Sequence, residues 1–109
     1  MGVVHNMKRN DRLPSIAAAL TYSDGTVIDL TAATALKFIM RNAATGAVKI
    51  NATAVIEDAD SGLVRYDWAG TDTDTAGAYL AEWETVIGGN KITVPNDGYL
   101  IVNIVEDIA

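Results

Sequence analysis

Two glutamates, Glu82 and Glu84, stand two positions apart in an alternating stretch. On a strand they would share one face, with side chains roughly 7 Å apart at ~3.4 Å rise per residue. Paired carboxylates at that distance can serve glycoside hydrolysis, provided burial raises the pKa of one. This face lies opposite Trp83 and reads as wet, so the expectation is a solvated pair. Asp58-Ala59-Asp60-Ser61-Gly62 resembles the opening of a calcium loop. An EF-hand would need Gly at its sixth position and Glu at its twelfth, where this chain has Leu63 and Ala69. A hairpin turn accounts for the cluster, although Asp72 and Asp74 could join it in an oxygen site. His5 is the single histidine. It sits in the N-terminal arm, away from Ser15, Ser23 and Ser61, where a lone histidine is expected to be exposed, and nothing assembles a Ser-His-Asp chain of hydrogen bonds. No catalytic residue, metal or cofactor is expected.

The residues with the clearest structural duty are in Asp72-Thr73-Asp74-Thr75-Ala76-Gly77-Ala78-Tyr79-Leu80-Ala81-Glu82-Trp83. Turn chemistry runs directly into an alternating strand, with Tyr79 just past the turn. A tyrosine so placed forms the corner of immunoglobulin-type sandwiches, its hydroxyl bonded to the chain a few residues upstream. Asp74 or Thr75 is the expected partner. Ala81 stands where antibody domains carry a cysteine, so the disulfide is absent. Trp68 and Trp83 would have to be exposed to make a carbohydrate platform; with so few aromatics, the core needs them.

These residues need strands to hold them. Ser15 to Ser23 alternates, with Ile16, Ala18, Leu20 and Tyr22 inward. A short segment at Thr26 to Thr31 turns Val27 and Leu30 in. Ala35 to Asn42 places Leu36, Phe38 and Met40 on one face and Lys37, Ile39 and Arg41 on the other. Ala43-Ala44-Thr45-Gly46 makes a hairpin loop. One long strand follows from Val48 to Glu57, and Leu63 to Trp68 answers it with Val64, Tyr66 and Trp68 inward. The strand carrying Tyr79, Ala81 and Trp83 runs to about Val86. Gly88-Gly89-Asn90 turns it into Lys91 to Val94, stopped by Pro95. Asn96-Asp97-Gly98 turns the chain again before Tyr99 to Val105. In that closing strand both faces are largely apolar. Leu100, Val102 and Ile104 are taken as an edge for partner contacts. Seven to eight short antiparallel strands with regular turns and no helix predict an all-β, immunoglobulin-like β-sandwich without a disulfide.

The chain of 109 residues, half of them hydrophobic, has room for one such core, and it contains no cysteine. Residues 1–12 show no sustained period and read as an N-terminal arm; 13–109 is the sandwich. Of the 8 basic and 14 acidic residues, Lys8, Arg9, Arg12 and Asp11 lie in the arm, leaving 5 and 13 beyond it. An acidic body argues against general nucleic-acid binding, whereas the basic arm (Lys8, Arg9, Arg12) suits an acidic protein neighbour. No signal peptide and no apolar run of the ~20 residues a membrane span needs are seen. The expected protein is soluble and not exported by that route, with no nucleic-acid, membrane or small-molecule partner.

Several motifs recur in a familiar order: Asp11-Arg12-Leu13-Pro14, Asp24-Gly25-Thr26 with Asp29-Leu30-Thr31-Ala32-Ala33, and Leu36-Lys37-Phe38-Ile39-Met40-Arg41. Ala59 through Trp68, Asp74 through Trp83, and Val94-Pro95-Asn96-Asp97-Gly98-Tyr99 complete it. Together, over residues 11 to about 105, they resemble the small immunoglobulin-like virion domains of tailed bacteriophages, typified by the N-terminal domain of the baseplate upper protein. No fibre or receptor-binding domain follows here. The resemblance implies a non-enzymatic structural protein of the virion, assembled in the host cytoplasm, in tail, baseplate or neck. Its partners would be other virion proteins and copies of itself. A capsid decoration protein, or a carbohydrate- or cell-surface-binding module, is the alternative reading.

Overall fold

A computed structural model describes residues 4–95, 98–106 and 108. Nine strands occur among them: β1 (Val4–Lys8), β2 (Ile16–Ala19), β3 (Ala33–Asn42), β4 (Val48–Thr53), β5 (Val55–Asp58), β6 (Leu63–Tyr66), β7 (Gly77–Ile87), β8 (Asn90–Val94) and β9 (Leu100–Val105). They form two sheets. The larger has the order β1-β9-β7-β3-β4, with β8 also on β7; the smaller is β2-β6-β5. The inward residues of both sheets make one core, so the fold is an all-β sandwich.

β7 is the axis of the large sheet. One side pairs with β3 along its length, from Ala33 opposite Ile87 to Asn42 opposite Tyr79. Its other side is shared: Gly77–Ala81 pairs with β9 and Trp83–Ile87 with β8. β8 and β9 thus occupy the place of one strand, interrupted around Pro95. Of the turn expected at Asn96-Asp97-Gly98, Asn96 and Asp97 lie outside the described residues.

Alternation in β3, β6 and β7 predicts their inner faces well. Phe38 is fully buried and central: its ring stacks on Tyr66 at 5.0 Å, meets Trp83 at 4.9 Å and takes Trp68 edge-on at 5.7 Å between centroids. Aromatic pairs at such distances add to the area they bury.

The structure corrects several expectations. Residues 4–8, within the segment read as an arm, form a strand that runs parallel to β9, so the large sheet is mixed rather than antiparallel. His5 and Met7 face in while Val4, Asn6 and Lys8 are exposed. Five residues suffice for an edge strand, but too few of them are apolar to show a period. The single strand expected from Val48 to Glu57 is two strands in different sheets, divided at Ala54, whose N–H donates to the Leu36 carbonyl at 3.0 Å. Ile50, Ala52, Ala54 and Ile56 keep the same parity through the switch, which is why alternation alone reads as continuous.

Two smaller segments differ as well. Val27 and Tyr22 are both 45% exposed, and Ile28 takes the buried place beside Leu30. Only a lone bridge, Thr21 to Val27, pairs the chain here. The Ile28 N–H reaches the Leu20 carbonyl at 3.0 Å, which places Ile28 and Leu30 inward and Val27 and Asp29 outward. Gly62 sits beneath this segment with φ +66°. A Cβ there would lie 2.8 Å from the Ile28 carbonyl oxygen and 2.9 Å from that of Leu20. Only glycine fits so close to two backbone carbonyls.

Candidate interaction site

The crossover between β6 and β7 is held by side chains, because a loop in that position must satisfy its own polar groups. Tyr79, 2% exposed, donates its hydroxyl to the Thr75 carbonyl at 2.8 Å, closing the corner across four residues. Asp74 does a different job: its carboxylate takes the Lys49 ammonium at 2.7 Å and the Thr75 hydroxyl at 2.9 Å. The Lys49 contact, with the Thr75 hydroxyl, holds the Asp74 carboxyl below its usual range. Asp72 accepts from the Tyr66 hydroxyl at 2.5 Å and the Ala69 N–H at 2.9 Å. Burial, and then the Asp72 bond, push the Tyr66 hydroxyl upward. Thr73 is buried and donates to the Asp11 carbonyl at 2.9 Å, while the Asn10 N–H reaches the Thr73 carbonyl at 2.8 Å. The corner therefore also anchors the chain leading out of β1.

The expected contact residues fall into two groups. Lys8 and Arg12 are exposed. Arg9 is tied back: its N–H donates to the Val105 carbonyl at 2.7 Å, and Nε lies 3.0 Å from Glu106 Oε2, too misaligned for a hydrogen bond. His5 packs its ring 6.0 Å from that of Trp68, and this burial lowers its pKa. It is not the free surface histidine its place in the sequence suggested.

Leu100, Val102 and Ile104 are not a contact edge. They are 8%, 0% and 2% exposed, face the small sheet, and belong to a strand whose outer edge β1 covers. The outward residues of β9 are Ile101, Asn103 and Val105. The doubly apolar closing strand was visible in the sequence. Which face met the core depended on its register against β7, where Val102 opposes Tyr79.

That register assembles an outer surface which the strand-by-strand reading missed. Val4, Ile101, Leu80, Arg41 and Val48 lie in one row across five of the six strands, with Ile39 and Glu82 in the next and Lys37 and Glu84 beyond. The Arg41 guanidinium sits 5.2 Å above the Tyr99 ring.

The acidic candidates are dispersed. Asp58 takes the Ser61 hydroxyl, Asp60 the Thr31 hydroxyl, Asp72 the Tyr66 hydroxyl and Asp74 the Lys49 ammonium. Among the described residues, no three His, Cys, Asp or Glu side chains are grouped to hold a metal ion. Trp68 and Trp83, 5% and 2% exposed, lie in the core. Neither offers a ring face to a sugar.

No protein-family model matches the sequence. An uncharacterized protein of the fission yeast Schizosaccharomyces pombe is 29% identical over 97 residues, covering 86% of this chain. The chain spans about 7% of that relative's length, so the likeness concerns one segment of a far larger protein.

Proposed function

We propose that this chain is an immunoglobulin-like structural module of a tailed-phage virion, acting through protein–protein contacts in a symmetric assembly. The observation that carries the immunoglobulin-like reading is the strand order. β2-β6-β5 packed against β9-β7-β3 follows the B-E-D and G-F-C arrangement of such domains, with Tyr79 at the corner before its F-like strand. The ordered motifs from Asp11 to Tyr99 favour the virion assignment. The polar groups favour a non-enzymatic role, because those of the crossover and the small sheet are engaged in holding loops together. Repeated display in a particle turns modest contacts into firm attachment, and Lys8 and Arg12, exposed on the N-terminal side and in no ion pair among the described residues, suit an acidic neighbour.

Labelling tests this reading. Antibodies against the folded domain should decorate purified particles at one fixed position of the tail, baseplate or neck, and peptides of the chain should appear in those particles by mass spectrometry. Absence from particles produced by cells expressing the chain overturns the assignment. Uniform labelling of the head surface would move it to capsid decoration.

A further inference from the structure

We infer that the outer face of the large sheet pairs with the same face of a second copy of this chain, about a two-fold axis parallel to the strands and lying between β3 and β7. On this face β3 presents Lys37, Ile39 and Arg41, and neighbouring β7 presents Leu80, Glu82 and Glu84. A basic column thus stands beside an acidic one, at the ~4.8 Å spacing of paired strands. Among the described residues none of these four charges makes an ion pair within the chain, although Lys37 and Glu84 are direct cross-strand partners. The small sheet behaves otherwise: on its outer side Arg65 is paired with both Asp67 and Glu57.

Between and beside the charged columns lies apolar surface. Ile39, Leu80 and Ile101 are half-buried and Val4 is 51% exposed, in adjoining register rows. Apolar patches ringed by charge mark interaction sites, and the charge pattern selects the occupant and its orientation. A two-fold along the strands lays β3 of one copy over β7 of the other. It sets Lys37 opposite the partner's Glu84, Ile39 opposite the partner's Glu82 and Arg41 opposite the partner's Leu80, with Arg41 and the partner's Glu82 one row apart across the seam. A two-fold across the strands would lay β3 on β3 and set like charges together. An isologous contact needs a self-complementary patch, and complementary charge gives such contacts their register and specificity.

The proposal is separate from the particle assignment, because it is read on the isolated protein. Sedimentation should show a concentration-dependent dimer. Lys37→Glu with Arg41→Glu, and separately Glu82→Lys with Glu84→Lys, should each weaken self-association by about tenfold or more while the circular-dichroism melt stays close to that of the parent. Mixing the two charge-reversed proteins should restore a heterodimer, since each then opposes the other's columns. Because the chain has no cysteine, Ile39→Cys in one copy and Glu82→Cys in another should also be joined by a short bismaleimide. A parent that stays monomeric at its solubility limit overturns the proposal. So does a mixture no more associated than its parts, or cross-linking no faster than for a control with Ala17→Cys, on the small sheet, in place of Ile39→Cys.

Discussion

The same strands carry two different surfaces. Odd residues of β7 (Tyr79, Ala81, Trp83) and even residues of β3 (Leu36, Phe38, Met40) are sealed against the small sheet, each under 5% exposed. Their neighbours one position along face outward and remain half-buried or exposed, with none of their charges in an ion pair among the described residues. Composition does not separate the two faces cleanly, since Ile39 and Leu80 are as apolar as Leu36. What separates them is whether a second layer lies above. The inner face has its layer in the same chain; the outer face has none among the described residues. Stability should therefore concentrate on one face and association on the other.

The sharpest way to break that contrast is at Phe38. Phe38→Ala removes the ring that Tyr66, Trp68 and Trp83 all contact, and should cost about 3–5 kcal/mol by urea unfolding. A cost like that of an outer-face substitution, about 0.5 kcal/mol, would mean the inner face is not the core. Tyr79→Phe is subtler. It keeps the ring and deletes one hydrogen bond, stranding the Thr75 carbonyl, for a loss of about 0.5–1.5 kcal/mol plus a desolvation penalty if no water replaces it. A change of under a few tenths would show that the corner packs without bonding.

The smallest effect is expected from pH. Burial lowers the folded-state pKa of His5 below its ordinary value of 6.5. As pH falls through that value the unfolded chain takes up a proton first, so stability is full above it and declines toward the folded pKa. The urea midpoint should drop between about pH 7.5 and 5.5, a window above the carboxylates. In His5→Phe the drop should vanish. A drop that persists in this variant would place the titrating group elsewhere.

Much of the inner face was legible in the sequence because a strand states its faces locally. Leu36-Phe38-Met40, Val64-Tyr66-Trp68 and Tyr79-Ala81-Trp83 each needed only a period of two. The hairpin loops were legible for the same reason: Ala43 to Gly46 and Gly88 to Asn90 carry their turn chemistry in a few residues. β1 was missed because an edge strand takes its order from β9, across nearly the whole chain. The sheet switch at Ala54 was missed because it preserves parity. The outward row of Val4, Ile101, Leu80 and Arg41 spans four strands and exists only once their registers are set.

By itself, then, the sequence determined the all-β class, most of the core and the place of Tyr79, since alternation, turn residues and a tyrosine after a polar bend are all local signals. Tertiary structure alone decided the rest. It put Leu100, Val102 and Ile104 inside, enlisted Val4–Lys8 as a strand, and brought two oppositely charged columns together on one surface. Those outcomes depend on register between distant segments, and a shift of one residue would have turned every side chain to the other face.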